Sequence, residues 1–259
     1  MANPETFTVR YLGGPSALLD YGGVTILVDP TFDPPGDYPI GERVLTKTAG
    51  PALSADEVGA VDVVLLSHDQ HPDNLDRAGR DYVDTARLVL STRSAEDRLG
   101  GAVLGLPNWV SQELDRPGGG TALVTGVPAL HGPEGSEPVV GEVTGFVLTG
   151  DGLPTVYISG DNASLDRVRE IADRYAPVDV ALLFAGGART PLLDFAYLTL
   201  TSAEAAQAAA ILRAGAVVPL HFEQWAHFSE GGEQLQAAFA AAGLSDRLRL
   251  LKPGESAGF

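Results

Sequence analysis

The sequence predicts an α/β fold in which two sheets pack face to face with helices on their outer sides. Three observations predict it. Apolar runs of strand length recur from residue 7 onward, separated by glycine-rich turns. Each half of the chain follows a group of such strands with helix-length segments. No linker-like shift in composition divides residues 1–259, so they are expected to form one domain.

Strands are expected at 7–12, 16–21 and 24–30, with Gly13-Gly14-Pro15 and Gly22-Gly23 as hairpin punctuation. Residues 30–52 are rich in proline and glycine and read as a long loop, a lid or a pocket wall. Strands at 61–66 and 87–91 flank a histidine-bearing segment, and a short helix follows at 94–99. Strands resume from 121 to 130, at 145–149 and at 155–159. The later chain alternates: a helix at 164–175 before a strand at 178–183, then a helix at 202–213 before a strand at 216–219. Ser202 is the expected N-cap of that second helix. A last helix at 232–242 leads to the apolar run 248–251.

Composition narrows the function. A chain that is 44% hydrophobic with mean hydropathy +0.07 folds into a globule, and no run nears the ~20 apolar residues of a bilayer span. Residues 1–5 lack a basic stretch followed by an apolar one, so no leader is expected and the cytoplasm is the default location. With no cysteine, disulfides, thiolate ligands and a thiol nucleophile are excluded. The net charge of -17 repels phosphate backbones and anionic membranes. The expected partner is therefore a small-molecule substrate, not nucleic acid or membrane; association of copies of the chain stays open.

All five histidines stand beside breaks in strand-like runs. His68 and His71 share one short segment with Asp69, Asp73 and Asp76, directly after the run 61–66. His131, Asp161 and His221 each follow a further expected strand, and His227 lies six residues beyond His221. Imidazole and carboxylate are the usual ligands of divalent metals, and pockets of α/β proteins open where loops leave the strand ends.

These landmarks are similar to those of the metallo-β-lactamase superfamily, in particular its L-ascorbate-6-phosphate lactonase-like branch. They comprise the run 26–30, the segment 67–76, His131, Ser159-Gly160-Asp161, Gly186-Gly187 with Thr190, Pro219-Leu220-His221 and the ending 251–255. The resemblance implies an αββα four-layer sandwich and a metal-dependent hydrolase acting on an ester, lactone or phosphodiester. The main family motif, H-x-H-x-D-H, is altered here. His68 takes its first position and Asp73 its aspartate, with one residue too many between them. The second histidine is thus either replaced by Gln70 or supplied by His71. His71 is preferred because His71-Pro72-Asp73 keeps the H-x-D spacing and imidazole is the better ligand. Asn74 stands in place of the last histidine.

Carried over residue by residue, the resemblance implies one metal held by His68, His71 and His131, and a second position formed by Asp73, Asp161 and His221. Asn74 would offer that second position only an amide oxygen. One or two divalent ions are therefore expected, and zinc and manganese both suit such ligands. Asp73 is the expected catalytic residue, orienting a water or taking its proton. Asp69 and Asp76 are candidates to orient the ligand imidazoles. Arg189, Trp225 and His227 are candidates for binding substrate. Two rivals are a binding protein that keeps the fold around a decayed metal site, and an iron-using oxidoreductase.

Overall fold

The computed structural model describes residues 7–41 and 43–259; residues 1–5, where no leader is expected, lie outside them. Glycine pairs set the first two hairpins. Gly13, Gly14, Gly22 and Gly23 all adopt positive φ, and between them run β1 (Phe7–Gly13), β2 (Ser16–Tyr21) and β3 (Val24–Val28), antiparallel to one another. A small hairpin follows, β4 (Gly36–Ile40) and β5 (Arg43–Lys47), then α1 (Ala55–Val58) and β6 (Val63–Leu65). Next come α2 (Arg77–Thr85), β7 (Val89–Ser91), α3 (Arg93–Leu99), β8 (Val103–Gly105), β9 (Ser111–Asp115) and β10 (Thr121–Pro128). The chain continues through α4 (Glu137–Val140), β11 (Thr144–Gly150), β12 (Val156–Ile158), α5 (Leu165–Tyr175) and β13 (Val180–Phe184). It ends with α6 (Ser202–Ile211), β14 (Ala216–Leu220), α7 (Gly232–Ala241) and β15 (Ser256–Gly258).

These strands form two mixed sheets, ordered β15-β1-β2-β3-β6-β7-β8 and β14-β13-β12-β11-β10-β9. Side-chain alternation along a strand explains how the first sheet serves two layers. Ile26, Val28, Val63 and Leu65 enter the core shared with the second sheet. Their neighbours Leu27, Val64 and Leu66 point the other way, into an outer core with Val83 of α2 and flanking residues of α1. On the far side, Val168 and Ile171 of α5, the alanines of α6 and Leu235 and Phe239 of α7 are buried in the main core. The layers are thus helix, sheet, sheet, helix, as expected. No helix among the described residues is long and apolar enough to cross a membrane.

Several local expectations are corrected. The segment 30–52 is not all loop, because it holds the β4–β5 hairpin; Pro39 is tolerated there since a two-stranded ribbon has free edges. The N-cap of α6 is Thr201, not Ser202, and its hydroxyl forms a capping box with Glu204. Helices α1 and α2 and the short strands β8, β9 and β15 are further elements. Strand β15, Ser-Ala-Gly, has no apolar pattern and is held by its backbone pairing to β1. The run 248–251 makes only an isolated bridge, from Leu248 to Val217.

Helix α2 lies close against the end of β3 because Gly79 has no side chain. A Cβ there would sit 1.9 Å from the Pro30 carbonyl oxygen. Glycine to alanine inside a helix ordinarily stabilises by about 1 kcal/mol. Here Gly79→Ala is expected to destabilise by about 1–3 kcal/mol in urea unfolding, because the contact is overpacked. A gain in stability would show that α2 can move away freely.

Candidate metal centre

The site begins with a buried carboxylate. Asp29 closes β3 at φ 35, and its oxygens accept from Ser67 N–H at 2.6 Å, Ser67 O–H at 2.6 Å and the Asn74 amide at 3.0 Å. Because the Ser67 proton goes to Asp29, Ser67 Oγ accepts from His68 Nδ1, 3.0 Å away. That leaves the His68 lone pair on Nε2. His131 is fixed in the same tautomer: its Nδ1 donates to the Leu198 carbonyl at 2.8 Å.

Both free Nε2 atoms face His71 Nδ1, at 2.9 Å from His68 and 3.2 Å from His131. A single Nδ1 proton would have to be shared between the two acceptors, which weakens both bonds. A tetrahedral ion with bonds of ~2.0–2.1 Å would hold its ligand atoms about 3.4 Å apart, close to these spacings. Asp161 joins them, with Oδ2 3.8 Å from His131 Nε2. His68, His71, His131 and Asp161 each offer one atom within 4.8 Å of the others, and so do Asp73, Asp161 and His221.

The second group is built at the ends of β6, β12 and β14. His221 directly follows β14 at φ 56, with its N–H bonded to the Gly14 carbonyl at 2.7 Å. Its Nε2 lies 3.2 Å from Asp73 Oδ2 and its Nδ1 3.4 Å from Asp161 Oδ1, yet neither makes a well-directed hydrogen bond. Asp73 Oδ1 is also buried without a partner, as is His227 Nδ1.

Burial dominates the electrostatics. It holds His68 well below the usual imidazole range and pushes His131 down to about 3; His71 and His221 are lowered for the same reason. These imidazoles are neutral at pH 7, with lone pairs available. Burial raises Asp29 to about 7, against the hydrogen bonds from Asn74 and Ser67. It also raises Asp161, and the carboxylates of Asp73 and Asp29 add to that by repulsion. Burial would raise Asp73 too, but the imidazoles of His227 and His221 beside it hold it well below the usual carboxylate range. Buried carboxylates beside unprotonated imidazoles, with orphaned nitrogen and oxygen atoms facing inward, make a set that a divalent cation would satisfy.

The remaining candidates divide. The Gln70 amide packs against Gly141, outside the histidine group, so His71 is the imidazole that joins His68. Asn74 turns its amide nitrogen toward Asp161 at 3.1 Å, while its oxygen is buried without a partner. Asp69 and Asp76 orient no imidazole. Asp69 is gripped by the Arg98 guanidinium at 2.9 and 2.5 Å. Asp76 caps α2 through Gly79 N–H, accepts from the N–H groups of Phe32 and Asp33, and pairs with buried Lys47 at 2.8 Å. Its lone pairs are used there.

Trp225 does not wall the pocket. It is buried behind β5, 5.3 Å from the Tyr38 ring, and its backbone bridges to Lys47. Arg189 does stand at the pocket, exposed beside Tyr197. His227 lines the pocket too, with Nε2 3.0 Å from Asp73 Oδ2. Two further residues build the site without a motif that marks their roles in the sequence. Arg43, on β5, lines the same pocket and donates to Thr190 Oγ1 at 2.8 Å. Asp29, visible only as an acid closing a strand, is the anchor of the first histidine.

A family model described as the beta-lactamase superfamily domain matches residues 24–222. The chain belongs to the beta-lactamase superfamily. It is 27% identical over 252 residues to a UPF0173 metal-dependent hydrolase of Pyrococcus abyssi, covering 95% of this chain and 97% of that one. Two solved structures share the fold of this chain over nearly their whole length. An isothiocyanate hydrolase from Delia radicum gut bacteria matches with TM-score 0.81 at 18% identity, covering 97% and 98% of the two chains. A possible metal-dependent hydrolase from Veillonella parvula matches with TM-score 0.82 at 17% identity, covering 97% and 99%.

Ser67 is not one of the converging donors but bonds to His68. If these donors hold a divalent ion, Ser67→Ala is expected to weaken its binding about 10–100-fold in calorimetric titration, the usual effect of losing an outer partner of a ligand imidazole. Unchanged affinity would refute the orienting role.

Proposed function

We propose that this chain is a metal-dependent hydrolase that attacks an ester, lactone or phosphodiester of a small molecule in the cytoplasm, its 259 residues acting as one domain. Within the superfamily we place it beside the L-ascorbate-6-phosphate lactonase-like branch. The observation that carries the reading is the convergence of His68 Nε2, His71 Nδ1 and His131 Nε2, 2.9 and 3.2 Å apart, beside Asp161. Zinc or manganese fits this donor set. When bound, such an ion acidifies a water toward a pKa of ~7 and polarises a carbonyl or phosphoryl oxygen.

The chain's own residues supply the rest. Asp73 Oδ2 accepts from His227 Nε2 and lies near His221 Nε2, which leaves the buried Oδ1 without a partner and able to orient the attacking water by accepting a hydrogen bond from it. Arg43 and Arg189 stand in the pocket wall opposite, and neither has a carboxylate partner among the described residues. They would grip an anionic part of the substrate. Ile40, Leu45, Val140 and Leu198 line the same pocket and exclude water from the reacting bond.

Protein purified without added metal should contain a transition metal, measured by elemental analysis that includes zinc, manganese and iron. His68→Ala and His131→Ala should each remove it and lower turnover on a panel of lactones and phosphodiesters. The loss should exceed the ~10–100-fold expected of an outer-shell change. Less than about half an equivalent of metal, with none gained on reconstitution, would overturn the hydrolase reading. Bound metal with no turnover on any panel member would favour the rival, a binding protein.

A further inference from the structure

Large apolar side chains left in water gather around one opening. Among the described residues seven such side chains are well exposed. Five of them, Val44, Val139, Leu192, Phe195 and Tyr197, lie on the three segments that frame the pocket beside the histidine group: β5, α4 and the loop 189–198. A single exposed apolar residue is ordinary. A group drawn from three distant segments to one rim marks a binding surface.

The rim is a built structure. Val139, 49% exposed, and Leu192, 55% exposed, line the pocket directly. Beneath them Val140 of α4 packs with Ala188 and Leu198, which holds α4 to the loop. Arg43 ties the loop to β5 through Thr190 Oγ1. At the tip of the loop Asp194 and Phe195 both hold positive φ, 50 and 59, a region that a bulky side chain ordinarily avoids. Thr190 fixes this shape: its carbonyl accepts from Phe195 N–H at 3.0 Å and its hydroxyl from Leu192 N–H at 3.3 Å. The Phe195 ring so placed is 63% exposed. A strained backbone that sets an apolar ring in water gains nothing for folding, and such outliers cluster where ligands are held.

The occupant of the rim follows from charge and size. A second copy of the chain would need about 800 Å² per partner from roughly 20–30 residues, far more than this rim supplies. Two copies of net charge -17 also repel each other, and an anionic lipid surface is repelled in the same way. A small molecule with both a charged and an apolar part matches the lining, where Arg43 and Arg189 stand beside Val139 and Leu192. We propose that the substrate is an amphiphilic anion whose acyl or alkyl chain leaves the pocket between α4 and the loop 189–198, over Val139 and Leu192 toward Phe195. This rests on the hydrolase reading above and narrows the substrate class that it left open.

The test is calorimetric titration of the protein as purified with straight-chain carboxylates from acetate to decanoate, each below its micelle concentration. It compares the native chain with Val139→Ser, Leu192→Ser and a control, Leu104→Ser, which is exposed on β8 outside the pocket lining. Native affinity is expected to rise about 2–4-fold with each added methylene. Val139→Ser and Leu192→Ser should each weaken decanoate binding about 5–10-fold and acetate binding less than about twofold, while Leu104→Ser keeps the native series. Circular dichroism checks folding, and sedimentation velocity follows the oligomeric state. A flat series in the native chain, or variants that keep the native slope, would overturn the proposal. So would a native dimer that Leu192→Ser disperses without any chain-length dependence, because the rim would then be an interface between copies. Ester turnover alongside a flat series would leave the hydrolase reading standing alone. A graded series that the rim variants lose, without turnover of any ester, would uphold the apolar rim and overturn the hydrolase reading.

Discussion

A buried carboxylate at the end of one strand is what the rest of the site depends on. Among the described residues Asp29 has no cationic partner; it is held by backbone and side-chain donors from the loop after β6 and by Asn74. Its own backbone is tied in as well, with its N–H on the Leu65 carbonyl and its carbonyl on Ser16 Oγ. The result locks the ends of β2, β3 and β6 to the histidine segment. Through Ser67 it also selects the tautomer of His68. Charge-assisted bonds of this kind are stronger than neutral ones, and inside a protein they lose little to screening. Position and protonation of the first imidazole thus follow from one carboxylate.

Charge explains why so many ionisable groups are collected in one place. Asp29, Asp73 and Asp161 are buried together with His68, His131 and His221, half-buried His71 joins them, and loss of water contact lowers all four imidazoles. Without a cation the cluster carries repulsion that the neighbouring hydrogen bonds only partly offset. The overall charge of -17 favours cations at long range, though salt screens this beyond ~8 Å. At the pocket itself Arg43 and Arg189 stand in the same lining as Asp73 and Asp161, and offer local positive charge in an acidic protein. An anionic substrate would meet repulsion at a distance and attraction only at the mouth, which favours small ligands over polyanions.

The layered fold was legible because strand alternation and glycine turns are local signals, and the histidines at strand ends marked one edge of the sheets. His71 could be preferred over Gln70 on spacing and chemistry, and it is His71 that meets His68. What escaped the sequence depends on contacts between distant segments. Asp76 looked like a ligand orienter beside the motif, but it is the cap of α2 and the partner of Lys47, 29 residues away along the chain. Asp69 likewise serves Arg98. The β4–β5 hairpin was hidden by Pro39 and by Pro34-Pro35 just before it, and with it Arg43, whose place in the pocket depends on how that hairpin folds over Thr190. Trp225 supports the hairpin from behind, a role that its neighbourhood to His221 in sequence does not reveal.

The most direct measurement is an anomalous difference map, collected at the zinc absorption edge from crystals of the zinc-saturated protein. The strongest peak is expected among His68 Nε2, His71 Nδ1 and His131 Nε2, about 2.0–2.1 Å from each, with the His68 ring still bonded to Ser67. A map whose strongest peak lies elsewhere, or one with no peak among these three nitrogens, would contradict a site built from Asp29 outward.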